Sequence, residues 1–199
     1  MKMEYNILDY GAVPDGKTLN TSRIQMAIDE ASEYNDSTVI IPEGTFLSGA
    51  IYLKKGVDLQ IDGTLLGSDD NSDYPMVPTR FEGHQEIWPD AIVNVDSLSS
   101  FTIKGKGTVD GNGLPYYKKF WEARDKAINE GLPFVNKNVP RPRLFYIRHS
   151  SDFSIEGIEL RNSGFWNLHL YDCKNVIVRG IHVSSPHEGD IRAASTDGI

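Results

Sequence analysis

At 199 residues the chain suits one substantial domain and is short for two. Its residues are 39% hydrophobic and 24% charged, with 18 Gly and 10 Pro, the balance of a turn-rich globular chain and not of a disordered one. A net charge of -8 argues against a general nucleic-acid binder or a membrane-surface protein, since both need a basic field, but it leaves room for a local basic cleft that takes an anionic ligand.

The opening, "MKMEYNILDYGAVPDGKT", holds no apolar run of signal-peptide length, and no later stretch approaches the roughly 18 apolar residues of a membrane span. The expectation is a cytoplasmic chain as written, or a secreted one if a leader was trimmed from it. The single cysteine, Cys173, can form no internal disulfide, which fits a reducing compartment. Sequons starting at Asn20 and Asn35 are accordingly read as chance matches. Within "DYGAVPDGKT", Gly, Pro and Asp-Gly mark a turn-rich loop. A short helix follows, which Asn20 or Thr21 would cap, with Ile24, Ala27, Ile28 and Ala31 on one stripe. Residues 1–36 are thus expected as an N-terminal loop and capping helix.

From Ser37 onward the pattern changes to short strands separated by turns: "STVIIPEG", "VDLQIDGTLLG", "AIVNV", "SFTIKGKGTVDG", "RLFYIRH", "DFSIEGIELRN", "WNLHLY" and "NVIVRGIHVSS". Laid over each other, the last segments repeat. Ile147 matches Leu170, Phe153 matches Val176, Ile155 matches Val178, Gly157 matches Gly180 and Leu160 matches Val183, every pair about 23 residues apart. Phe101 and Ile103 take the same places one phrase earlier, with an excursion inserted between. A repeat of two or three short strands, each with its own apolar side, predicts an all-β, right-handed parallel β-helix, a solenoid whose coils bury aliphatic ladders against one another. A Greek-key sandwich also has many short strands but predicts no such in-register repeat. The N-terminal helix would cover the open end of the first coil.

One domain is expected over residues 1–199. The excursion over residues 114–142, helical in its middle from roughly Tyr117 to Asn129, would either line a binding face or pack as a surface insertion.

Four stretches in this order resemble the family-28 glycoside hydrolases, the polygalacturonases and related pectin-cleaving β-helix enzymes. They are the opening "YNILDYGAVPDGKTLNTSRIQMAID", the turn "GKGTVDGNG", the phrase "NSGFWNLHLYDCKNVIVRGIHV", and the final "STDGI", similar to the start of the family's N-T-D-G-I-D motif. The resemblance implies that Asp197 is one of three catalytic aspartates of an inverting hydrolase, helping to position and deprotonate the attacking water. It places the other two in a paired Asp-Asp about one coil further on, ahead of a Gly-His-Gly and an Arg-x-Lys that contact substrate. None of these follows within the 199 residues, so the sequence is expected to be the N-terminal part of such an enzyme and inactive alone. The implied partner is an acidic polysaccharide or oligogalacturonide, with no cofactor.

Other residues near this motif are candidates for substrate binding. Ser195 stands where the family has Asn, and the longer "SPHEGDIRAA" before it leaves an exo-acting or rhamnogalacturonan-type enzyme open. Trp166 would stack on a sugar ring or merely cover the coil edge. His169, flanked by inward Leu168 and Leu170, faces the outside as a substrate contact or as a structural hydrogen-bonding group. Arg192 and His187 would neutralise a uronate carboxylate. For Asp197 itself the competing reading is an Asp-Gly turn residue. No metal-ligand spacing is present: the histidines are dispersed, and Asp69, Asp70 and Asp73 lack the order of a calcium loop and read as a solvated patch. The functional alternative is a β-helix that binds polysaccharide without cleaving it.

Overall fold

In the computed structural model, which describes residues 2–185 and 192–199, the chain winds as a parallel β-helix whose coils lay short strands into three parallel sheets. The winding starts before the helix. β1 (Met3–Asn6) and β2 (Asp15–Leu19) precede α1 (Thr21–Ala31), so the expected loop in residues 1–36 carries the end strands of two sheets. Polar "DGKTL" shows no strand signal of its own. It is held extended by β4 (Thr45–Ser48) of the next coil, where Leu19 lies beside Leu47.

The second coil is β3 (Ser37–Ile41), β4 and β5 (Ile51–Tyr52). The third is β6 (Val57–Ile61), β7 (Thr64–Gly67), an antiparallel hairpin of β8 (Met76–Phe81) and β9 (His84–Pro89), then β10 (Val93–Asp96). The fourth is β11 (Thr102–Lys104), β12 (Thr108–Asp110), helix α2 (Leu114–Asn129) and β13 (Phe145–Arg148). β14 (Ser151–Glu156), β15 (Glu159–Arg161) and β16 (Leu168–Tyr171) form the fifth coil, and β17 (Lys174–Arg179) with β18 (His182–Ser184) begin the sixth. The first sheet runs β1, β3, β6, β11, β14, β17. The second runs β2, β4, β7, β12, β15, β18, and the third β5, β10, β13, β16.

The sequence repeat is the register. Ile147 pairs with Leu170, Phe153 with Val176, Ile155 with Val178 and Leu160 with Val183, while Ile103 pairs with Ile155 across the excursion. Each coil lies about 4.8 Å from the next, so inward side chains stack in direct contact. Ile61, Ile103, Ile147, Ile155 and Leu160 are fully buried, and the Phe101 and Phe153 rings stack at 4.7 Å. Corners are set by left-handed residues that recur at equivalent places, among them Asp152 and Asn175, whose side chains bond at 2.8 Å. At the corner before β12, Gly105 has φ +143 and lies so close to the Ile61 carbonyl that a Cβ would collide with it.

Helix α1 buries the expected stripe, Ile24, Ala27, Ile28 and Ala31. Asn20 occupies its N-cap position but does not cap it. Its fully buried amide instead accepts from Val13 N and donates to Val13 O and Thr18 O, closing the preceding loop. Beside β5, the edge strand of the third sheet, Gln25 stands in for a neighbouring strand: Tyr52 N donates to its Oε1 (2.8 Å) and its Nε2 donates to Tyr52 O (3.1 Å).

Among the described residues, the long excursions leave at one corner, between the second and third sheets. Two residues suffice there between β4 and β5, but the hairpin intervenes in the third coil and α2 in the fourth. The predicted excursion thus shares one side of the stack with the hairpin. α2 starts at Leu114, earlier than expected, because Pro115 suits the first turn and Tyr116, Tyr117 and Phe120 bury one face.

Candidate active site

The corner connection of the fifth coil, residues 162–167, is short and held from several sides. Ser163 is fully buried; its Oγ donates to Trp166 O and its carbonyl accepts from Tyr117 OH of α2. Phe165 is fully buried against Trp88 of β9, and Trp166 lies flat on Phe165 with ring centres 5.1 Å apart. From this turn the chain enters β16, where Leu168 joins the core and His169 points to the opposite face, as strand alternation requires. The imidazole stacks on Tyr146, its β13 neighbour, at 4.8 Å and meets the edge of Trp166 at 4.8 Å.

Asp197 comes to this place through backbone pairing. Asn167 N donates to Asp197 O (2.9 Å) and Leu168 N to Gly198 O (3.1 Å), which lays the Asp197 segment against the start of β16. The buried Asn167 side chain adds bonds from Nδ2 to Thr196 O (3.0 Å) and Asp197 O (3.1 Å). A hollow of about 490 Å³ results, lined by Trp166, His169, Asp197 and Glu82. Leu168, Leu170 and Ile199 also line it, so the hollow opens across the end of the stack as well as on its outer face.

Three predicted residues, Trp166, His169 and Asp197, therefore share one hollow. Ser195 does not line it. In the left-handed conformation (φ 56), it borders a second hollow of about 290 Å³ formed with Phe120, Trp121, Arg124 and Phe134 from the α2 excursion. Arg192 is exposed and is held through its carbonyl, which accepts from Trp121 Nε1 (2.7 Å). His187 lies outside the described residues.

Reading the sequence missed Glu82, Asn167, Arg141 and Arg143. Glu82 sits at the tip of the β8–β9 hairpin with φ 51, followed by Gly83 with φ 81. Glu-Gly there serves as the tight hairpin turn for which Asn-Gly is the usual signal, and Pro78 within β8 masked the strand. The two arginines of "RPRLF" are fully buried, which no surface pattern announces. Arg141 donates from Nη1 to Val139 O (2.7 Å) and from Nη2 to Asn136 Oδ1 (2.8 Å) and Ala194 O (3.2 Å), while its own carbonyl accepts from Trp88 Nε1. It thereby ties both excursions to the segment leading into Asp197.

Burial pushes the Arg141 and Arg143 guanidiniums down to about 10, which leaves both charged at neutral pH. Burial, with Arg143 adding to it, pushes the His169 imidazole down to about 4, so the ring is neutral at pH 7. Further along the third sheet, burial raises the Asp90 carboxyl while Tyr52 OH donates to it at 2.9 Å. The hollow thus presents two carboxylates, an indole and a neutral imidazole. A carboxylate so placed can orient and deprotonate water, and an indole face can stack on a sugar ring. A second, protonated carboxyl would be needed to complete acid–base hydrolysis.

The pattern of the family described as "Glycosyl hydrolases family 28" matches residues 31–199. The "Probable polygalacturonase" of Vitis vinifera is 29% identical over 205 residues, covering 98% of this chain and 38% of that protein. The "Exo-poly-alpha-D-galacturonosidase" of Dickeya chrysanthemi is 37% identical over 143 residues, covering 67% of this chain and 23% of its own length. Among solved structures, the "Family 28 Exopolygalacturonase" of Yersinia enterocolitica superimposes with a TM-score of 0.79 at 28% identity, over 93% of this chain and 39% of that one. The chain spans less than half the length of these relatives.

Proposed function

The chain belongs to glycosyl hydrolase family 28, and from that premise we propose that its coils build one wall of an inverting hydrolase site for α-galacturonosyl linkages in pectin-type polysaccharide or its oligosaccharides. The observation that carries this reading is the meeting of Asp197 with Trp166 and His169 in one hollow. Asp197 is the water-positioning carboxylate, held at fixed depth because Asn167 grips the backbone on which it stands. Trp166 supplies a face for a sugar ring. The acid that protonates the leaving oxygen must stand about 6.5–9.5 Å from the base in an inverting enzyme, a range reached by a carboxylate on a neighbouring coil.

Within the same family, end-wise cleavage is the finer reading. The Dickeya and Yersinia relatives bear exo-acting names. The hairpin that brings Glu82 to the hollow, with α2 packed beside the same corner, supplies walls across which a long polymer could not pass freely.

Trigalacturonate titrated into the 199-residue chain should shift the NMR signals of Trp166 and His169, whereas neutral maltotriose should leave them in place. No reducing sugar should be released from polygalacturonate by this chain alone. A chain carrying a further coil with paired aspartates should release it, and Asp197→Asn should slow that release by about 10² or more. Absence of trigalacturonate binding, or full activity of Asp197→Asn, would sink the proposal.

A further inference from the structure

Arg143 enters β13 beneath the candidate site and has no exposed surface. Its guanidinium lies over the Tyr146 ring at 4.1 Å, and Nη1 reaches Thr79 Oγ1 of β8 at 3.1 Å and His169 Nδ1 at 2.7 Å. Nε and Nη2 are buried with no hydrogen-bond partner among the described residues. A buried cation with spare donors is costly, and a buried arginine would ordinarily be given a carboxylate. Here the short contact is instead with an imidazole nitrogen.

The chemistry of that contact permits one arrangement. A guanidinium has five N–H donors and no acceptor. At 2.7 Å, Nδ1 must therefore present its lone pair, and the proton of the neutral ring must sit on Nε2, across the ring from the buried guanidinium. We propose that Arg143 is a positioning residue that fixes His169 as the Nε2–H tautomer, so that the hollow meets a bound sugar with a neutral hydrogen-bond donor and not with an imidazolium. Its last clause rests on the sugar-binding reading given above; the tautomer does not.

The consequence concerns which part of a uronate is read. An imidazolium would attract the substrate carboxylate. A neutral N–H cannot do so strongly and instead selects a hydroxyl or ring oxygen that accepts one bond. The groups facing the ring from the packed elements are Arg143 just ahead of β13, Tyr146 of β13, Trp166 of the turn before β16, Glu82 of the hairpin, and Asp197. Glu82 and Asp197 favour protonation, whereas burial and the adjacent guanidinium oppose it. The opposing pair wins, holding His169 near 4 instead of the ordinary 6.5 or so.

Long-range proton–nitrogen spectra of the ¹⁵N-labelled chain test the assignment, with the His169 signals identified by their loss in His169→Asn. The wild type should show a pyridine-like Nδ1 and a pyrrole-like Nε2, unchanged from pH 8 to pH 5. Folded Arg143→Met should show mixed tautomers and a protonation midpoint raised part of the way back from about 4. An Nδ1–H signal in the wild type, titration of wild-type His169 between pH 8 and 5, or an unaltered tautomer in folded Arg143→Met would each overturn the proposal. Should Arg143→Met fail to fold, the wild-type spectra still decide. Adding trigalacturonate separates the two readings: failure to bind removes the sugar site and leaves the tautomer measurement standing.

Discussion

The stack and its corner are built on different terms. Within the stack, each inward residue meets a like residue one coil away, as Phe145 meets Leu168 and Ile155 meets Val178, and every contact is repeated by its neighbours. Among the described residues, nothing at the corner repeats. Trp88, Phe165, Arg141 and Arg143 occur once each, and they join a hairpin, a helix and the Asp197 segment through individual hydrogen bonds and a ring contact. Periodic burial gives stability that many positions share, whereas the corner gives geometry that single residues hold. That division places the candidate chemistry where a few bonds aim it, on a frame that does not depend on them.

The comparison breaks first in the stack. Ile155 is fully buried between Ile103 and Val178 in the first sheet. Ile155→Ala removes methyl groups from a ladder that cannot collapse without shifting every coil, and should cost about 2–5 kcal/mol of unfolding free energy. Urea unfolding followed by circular dichroism measures it. A loss under about 1 kcal/mol would mean that the coils repack independently, contrary to a shared core.

That asymmetry also explains what could be read in the amino-acid order. The strands from Ser37 onward and their in-register repeat were visible because inward Ile, Val, Leu and Phe recur at fixed intervals. The helical stripe of α1 was visible for the same reason. β2 was not, since its polar residues are extended only by a neighbour's hydrogen bonds, and neither was the β8–β9 hairpin, interrupted by Pro78. Of the candidate site, Trp166, His169 and Asp197 could be found through the phrases "FWNLH" and "STDGI". Glu82 arrives from far along the chain, and Arg143 acts from beneath the surface, so no local spacing connects either to the hollow. Ser195 stood close to Asp197 in sequence, yet its left-handed backbone accompanies a turn toward the α2 side.

A smaller effect should separate corner from stack. Arg141→Met keeps an apolar stem against Phe120 and Phe165 but leaves the carbonyls of Val139 and Ala194 without their donor. A hydrogen bond from a charged donor is worth about 1.5–3 kcal/mol, and removing the buried charge returns part of that. The global loss should therefore stay under that of Ile155→Ala, while exchange quickens locally at the Asn167 and Leu168 amides, which donate to Asp197 and Gly198. Equal quickening of the Ile155 amide would show that corner and stack open as one unit.

The smallest expected effect tests the opposite end of the same frame. Gln25 closes the free edge of the third sheet with a pair of bonds to Tyr52, a strand's hydrogen bonding supplied by one side chain. Gln25→Ala should cost about 1 kcal/mol and lower the exchange protection of the Tyr52 amide, since an exposed edge can turn to water for its lost partners. Gln25→Glu retains an acceptor for Tyr52 N–H but not the donor to Tyr52 O, and it adds a negative charge beside Asp29, which Gln25 now bonds at 2.8 Å. Protection at Tyr52 should then fall between wild type and Ala. If both variants leave that amide as protected as before, the helix covers the coil end by apolar packing alone, and the edge-closing role of Gln25 is wrong.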